Sequence, residues 1–260
     1  MKWIKRLVIL AFVLYGIFCC ILYFSQERII FNPDKLPADY TFGIGEEVNL
    51  EVEQGISLNC LWLKEPASKG VILYLHGNRG SNRRCLHQAE TMAGNGYDIF
   101  MPDYRGYGKS SGEIESETQL KRDIQQVYDF LKKHYPEKEI VVAGYSLGSG
   151  LAAFLAATNQ PQQLIMLAPY TSMIDLKNRM LPFVPDFVLK YPLKSEEYLR
   201  KTDLPVTLFH GTSDEVIPFE YSEKLQAIRP GAIRLIAARE GHRGIIFSPV
   251  FRQTVGQLLL

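Results

Sequence analysis

The sequence predicts an α/β fold: a mostly parallel sheet with helices on both faces, opened by an antiparallel hairpin, carrying a short helical cap and preceded by one transmembrane helix. Three observations predict it. From Val71 onward, apolar runs rich in Val, Ile and Leu alternate with segments of helical periodicity, which is how strands buried on both faces of a parallel sheet read. A long run without a charged residue follows the first six residues. One unit, Glu139 to Asn159, reads as strand, tight turn and helix, with a serine at the apex between two glycines.

With 260 residues and 47% hydrophobic content the chain can bury one full core. The expected organisation is a membrane anchor over 1–26, a connector over 27–45, and one globular domain over 46–260 with a cap insertion at about 171–199. A formal net charge of +1 gives no electrostatic case for nucleic acid as a partner. No C-x-x-C or H-E-x-x-H suggests a metal, and no cofactor is expected. Of the four cysteines, Cys19 and Cys20 lie in the apolar run. Cys60 and Cys85 read as buried free thiols, with a bridge in an oxidising compartment as the alternative.

Taken in order, Leu7 to Gln26 carries no charge, and about twenty helical residues at 1.5 Å each span about 30 Å, the thickness of a bilayer's hydrocarbon core. A cleaved signal peptide fits less well, because the run exceeds an ordinary h-region and Tyr23-Phe24-Ser25 offers no small-x-small site. Lys2, Lys5 and Arg6 before the span outweigh Arg28 and Lys35 after it, which favours a single-pass protein with its globular domain outside the cytoplasm, on the periplasmic side in a bacterium. Since the core and the candidate triad lie downstream, a chain starting near Gln26 is expected to be soluble and still hydrolyse a small soluble ester.

Glu47 to Glu53 and Ser57 to Lys64 alternate around Gln54-Gly55-Ile56 and make the hairpin. The later strands are Val71 to Leu75, Tyr97 to Pro102, Glu139 to Ala143, Leu164 to Leu167, Val206 to Phe209 and Ile233 to Ala237. Helices are expected over Asn82 to Ala93, Glu117 to His134, Leu147 to Ala157, Phe219 to Ile228 and Ser248 to Leu260. Thr171 to Leu199 breaks this rhythm. It holds more chain than one crossover needs, with apolar residues including Phe183 and Phe187 interrupted by Pro182, Pro185 and Pro192, and reads as short helices capping the sheet's carboxyl edge or completing the core.

The chemistry starts at Gly144-Tyr145-Ser146-Leu147-Gly148. So sharp a turn leaves no room for side chains at the glycines and lifts the Ser146 hydroxyl above the sheet, with the N–H of Leu147 aimed at the same space. A serine hydroxyl needs a base, and the base needs a group that fixes its tautomer. Of five histidines, His242 stands in a loop after the last strand and can reach the carboxyl edge, whereas His76 and His210 end strands, His87 is helical and His134 ends a helix. Asp214 follows the strand Val206 to Phe209 at the same edge, while Asp203 lies at the other. A second oxyanion donor should come from Leu75-His76-Gly77-Asn78-Arg79-Gly80, where the N–H of Asn78 is assigned as partner of Leu147.

Leu75 to Ser81 (LHGNRGS), Pro102 to Gly112 (PDYRGYGKSSG), GYSLG, Ala168 to Ser172 (APYTS), His210 to Pro218 (HGTSDEVIP) and Gly241-His242 together resemble the serine-aminopeptidase-like branch of the α/β-hydrolases. More narrowly, the sequence is similar to its membrane-anchored, single-span members, including Gln26 to Pro33 after the span. The resemblance implies an α/β-hydrolase fold and a serine hydrolase with Ser146, Asp214 and His242 as its triad, acting on an ester, a thioester, a lysophospholipid-like amphiphile or a peptide. The chain departs from the family in being basic after HGN and in Arg243 beside the histidine. Arg79, Arg83 and Arg243, in a basic cluster that also includes Arg84, are expected to attract an anionic group, and Phe183 and Phe187 to accept an acyl chain. The expected partners are therefore a small acyl ester or thioester and the membrane. A non-catalytic membrane-tethered binding module and a peptidase or amidase using the same triad are the alternatives.

Overall fold

In the computed structural model, which describes residues 2–260, an apolar helix α1 (Lys2–Ile30) leads into a short strand β1 (Asn32–Pro33). The hairpin β2 (Glu46–Glu53) and β3 (Ile56–Leu63) turns at Gly55, whose φ of +75° suits glycine. Then come β4 (Val71–Leu75), the two-residue β5 (Arg79–Gly80), α2 (Asn82–Ala89), β6 (Asp98–Pro102) and α3 (Glu117–Leu131). Next are β7 (Ile140–Tyr145), α4 (Leu147–Thr158) and β8 (Gln163–Leu167). The cap holds α5 (Met173–Met180), a 3-10 turn at Asp186–Val188 and α6 (Ser195–Leu199). The chain closes with β9 (Val206–Gly211), α7 (Glu220–Gln226), β10 (Ile233–Ala238) and α8 (Pro249–Leu258).

Eight strands form one sheet in the order β2-β3-β6-β4-β7-β8-β9-β10, parallel from β6 to β10 and antiparallel in the hairpin. Alternation along each strand divides the core. In β4, Val71, Leu73 and Leu75 pack on one face with Val142 and Leu151, while Ile72 and Tyr74 pack on the other with Phe209 and Phe251. Side-chain caps set several helix starts: Ser116 accepts from the N–H of Gln119, Ser172 from Asp175, and Ser248 from Phe251 with Pro249 next to it.

After β4 the chain moves outward to β6 and then returns to β7 on the other side of β4, so the crevice between the carboxyl ends of β4 and β7 is a switch point. The loop after β4 and Ser146 face each other across it. Two expectations shift. The helix of the span continues four residues beyond Gln26, because the Gln26 amide is buried and satisfied by the cap rather than exposed at a helix end. The connector, in turn, starts with β1, which pairs in parallel with β5, so Asn32 and Pro33 lie against Arg79 and Gly80.

Candidate active site

Ser146 stands between β7 and α4 with φ 51° and ψ −118°, a conformation that costs a non-glycine residue energy and is held only by a rigid surround. The glycines are the surround. A Cβ on Gly148 would lie 2.0 Å from the Leu75 carbonyl oxygen, and one on Gly144 would lie 2.4 Å from that of Gly148. Ser146 donates its own N–H to the Leu167 carbonyl at 2.9 Å, which pins the apex to β8.

His242 Nε2 lies 3.1 Å from Ser146 Oγ, and His242 Nδ1 lies 2.8 Å from Asp214 Oδ2. The three side chains come from the ends of β7, β9 and β10, brought together by the sheet. Asp214 Oδ1 accepts the N–H groups of Val216 and Ile217, both at 2.8 Å, and its side chain is wholly buried. Burial pushes the Asp214 carboxyl up, but hydrogen bonds from His210, His242 and the Ile217 N–H outweigh it and hold the group well below its ordinary value. It is therefore a fixed negative charge beside an imidazole whose other nitrogen faces a hydroxyl. Such an arrangement can take a proton from Ser146 and stabilise the imidazolium that results.

His210 is a partner that sequence reasoning did not assign. Its Nδ1 lies 2.6 Å from Ser222 Oγ, and its Nε2 lies 3.1 Å from Asp214 Oδ2 and 2.9 Å from the Ile217 carbonyl. With an acceptor on each contact, Nε2 carries the proton, and His210 holds Asp214 from behind. The signal was its spacing, four residues before Asp214 at the end of the same strand.

Opposite Ser146, the N–H groups of Asn78 and of Leu147 find no acceptor among the described residues and remain available to a developing oxyanion. The loop that carries Asn78 is braced from three directions. Tyr104 donates to the His76 carbonyl at 2.7 Å, and Tyr107 donates to that of Asn78 at 2.7 Å, which gives a physical role to the paired tyrosines of PDYRGYG. Asn32 donates its N–H to the same Asn78 carbonyl at 2.9 Å, and the Asn78 side chain donates to the Ile30 carbonyl at 2.9 Å. Tyr145, next to the serine, donates to the His242 carbonyl at 3.1 Å and steadies the histidine loop.

These groups open into a cavity of about 750 Å³. Its apolar wall comes from the cap (Met173, Leu176, Leu181, Val184) and from α1 (Leu22, Ile29, Ile30), and its basic residues include Arg79, Arg84 and Arg243. None of those three arginines has a carboxylate within 4.0 Å among the described residues, and no Asp or Glu lines the cavity. Other expected contacts fall elsewhere. Arg83 turns away to pair with Asp34 at 2.6 Å, across β1. Phe183 and Phe187 do not line the cavity: they are 59% and 84% exposed, because hydrogen-bonded turns from Leu181 to Val184 and from Pro185 to Val188 bring the two valines to the cavity wall instead. Cys60 and Cys85 are both free and buried.

Comparison with known proteins runs along the same lines. The family described as Serine aminopeptidase, S33, matches residues 66–196. The uncharacterized protein YfhR of Escherichia coli O157:H7 is 26% identical over 277 residues, covering 98% of this chain and 95% of that one. Protein bem46 of Schizosaccharomyces pombe is 31% identical over 206 residues, covering 75% of this chain and 67% of its own. The lysophosphatidylserine lipase ABHD12 of Danio rerio is 28% identical over 233 residues, covering 74% of this chain and 60% of its own. Among solved structures, the Pyrococcus furiosus esterase Pf2001 superposes with a TM-score of 0.69 at 21% identity, covering 88% of this chain and 97% of that one, a likeness of fold.

Proposed function

Since this chain belongs to the serine aminopeptidase (S33) family of the α/β-hydrolase superfamily, we propose that it is a membrane-anchored serine hydrolase that cleaves an ester or thioester of an anionic amphiphile through an acyl-enzyme on Ser146. The observation that carries the reading is the unbroken chain from Ser146 Oγ through both His242 nitrogens to a buried, ionised Asp214, beside two unoccupied N–H donors. His242 takes the hydroxyl proton as Ser146 attacks the acyl carbon, and the N–H groups of Asn78 and Leu147 receive the negative charge on its oxygen. His242 then gives the proton to the departing alcohol or thiol, and a water activated by the same histidine releases the acid.

The lining of the cavity supports the substrate class. An apolar compartment next to three arginines without a carboxylate partner among the described residues suits an acyl chain joined to an anion, and with no carboxylate in the lining there is no counter-charge for the ammonium of a peptide N-terminus. The name of the ABHD12 relative, a lysophosphatidylserine lipase, points the same way. Helix α1 is long and apolar enough to cross a membrane, and Lys2, Lys5 and Arg6 at its start favour a domain outside the cytoplasm. The test is the purified full chain in detergent micelles against a panel of acyl esters. Wild type turns over, while Ser146→Ala, His242→Ala and the double variant all fall to nearly the same floor, because groups acting as a unit are not additive. A His242→Ala protein that keeps most of its turnover would defeat the assignment.

A further inference from the structure

The anchor helix does more than end beside the domain. Tyr15, Phe18, Leu22 and Gln26 recur at three- and four-residue spacing, so they form one stripe along α1, and that stripe leans on the cap. Tyr15 donates its hydroxyl to the Phe183 carbonyl at 2.5 Å, and the Phe18 and Phe183 rings lie 6.2 Å apart. Leu22 lines the cavity. Gln26, 6% exposed, donates to the Val188 carbonyl at 2.9 Å and accepts the Lys190 N–H at 2.7 Å. Glu27 completes the latch, paired with Lys190 at 2.6 Å and accepting the Tyr191 hydroxyl at 2.9 Å.

This geometry sets a depth. At 1.5 Å of rise per residue, Tyr15 lies about 16 Å along the helix from Gln26, within the uncharged run. The cap therefore descends beside the part of α1 that spans hydrocarbon. Its outward side chains suit that position, since Met180, Phe183 and Phe187 are 78%, 59% and 84% exposed, more large apolar surface than a short cap segment leaves open to water without a contact to make. The cavity's most exposed apolar lining residues, Met180 on the cap and Ile29 on α1, mark an apolar mouth where cap and helix meet, and the arginines mark a polar side.

Resting on the hydrolase reading above, we propose that the last turns of α1 are a wall of the acyl site, that the apolar mouth opens into the bilayer, and that the acyl chain of a membrane lipid slides in sideways between α1 and the cap while its anionic end stays at the arginine side. The anchor is then part of the specificity machinery. A chain starting near Gln26 lacks Leu22, so it loses selectivity for long acyl chains while it still hydrolyses a small soluble ester.

The experiment uses the full chain in phosphatidylcholine vesicles and reads the ratio of kcat/KM for a dodecanoyl ester to that for an acetyl ester. Leu22→Trp narrows the wall and lowers this ratio at least tenfold. Phe24→Trp, 77% exposed and absent from the cavity lining, leaves the ratio unchanged. A Leu22→Trp ratio within twofold of wild type, in protein whose Ser146 still reacts with a short fluorophosphonate, overturns the proposal and leaves the hydrolase reading intact. If wild type neither reacts at Ser146 nor hydrolyses any ester, the hydrolase reading falls and takes this one with it. A second arm needs no catalysis. In a Trp3→Phe background, where Trp62 is buried, Phe187→Trp fluorescence is quenched by phosphatidylcholine brominated on its acyl chains, and an unquenched signal overturns the membrane-facing mouth.

Discussion

Changing Asp214 to Asn keeps the side chain's shape and removes its charge, and the surrounding hydrogen bonds dictate how the amide must sit. Oδ1 accepts two backbone N–H groups, from Val216 and Ile217, so the amide oxygen must occupy that place. The NH₂ group then takes the place of Oδ2 and faces His242 Nδ1, where the carboxylate oxygen stood at 2.8 Å, and also the His210 Nε2–H, which keeps the Ile217 carbonyl as its acceptor at 2.9 Å. Two donors cannot face one another. His242 is driven to the tautomer with a bare Nδ1, and its proton moves to Nε2, which points at Ser146 Oγ from 3.1 Å. The base is then already protonated where it should accept, a defect worth about ten-thousandfold in a Ser-His-Asp triad, or roughly 5 kcal/mol of barrier. The assay is kcat/KM for an acetyl ester at pH 8, with the rate of fluorophosphonate reaction falling in parallel. An Asp214→Asn protein within tenfold of wild type would refute the reasoning. The same substitution has a stability signature. Because the folded carboxyl is held below its ordinary value of about 3.9, its contribution is present above that pH and lost as pH falls through the folded value. Wild type should therefore lose stability relative to the Asp214→Asn variant only as the medium becomes more acid than about pH 4.

Other consequences can be measured separately. Arg79→Ala/Arg84→Ala should shrink the preference for an anionic over a neutral ester of equal chain length, and added salt should do the same to wild type; equal rates for both esters in wild type at low salt would dismiss the arginines as a substrate site. Burial, with Asp103 adding to it and Arg84 opposing it, pushes the Cys85 thiol up to about 12, so iodoacetamide at pH 8 should leave it unmodified in the native protein and alkylate it in urea. Rapid native alkylation at Cys85 would show that the cavity wall opens. Arg105, with a side chain 4% exposed, clasps the 2% exposed Asp123 at 2.6 Å, and Arg105→Met should cost about 3–5 kcal/mol in a denaturant titration by leaving that buried charge only Arg122, 3.8 Å away. A loss below about 1 kcal/mol would place the pair with ordinary surface bridges.

Much of this architecture could be read without coordinates because the decisive signals are local. The glycines on either side of Ser146 report a steric need that two carbonyl oxygens explain, and the chain order of Ser146, Asp214 and His242 reflects strands that share one carboxyl edge. What escaped was long-range. Arg83 reads as basic cavity surface until Asp34, brought close by the β1–β5 pair, takes it away. Phe183 and Phe187 look like acyl contacts in a string of apolar residues, since composition says that a cap is greasy but not which side of it faces inward. Gln26 looks like the end of the span because it closes the uncharged run before Glu27, yet its amide is answered by backbone groups of Val188 and Lys190, more than a hundred residues along the chain.

Every step of the proposed chemistry requires that Ser146 carry the acyl group. Peptide mass spectrometry of the full chain after reaction with a fluorophosphonate tests this most directly. The expected result is one adduct, on the peptide that contains Ser146, formed quickly in wild type, slowly in His242→Ala and not at all in Ser146→Ala; an adduct on another residue, or ester turnover that survives in Ser146→Ala, would contradict it.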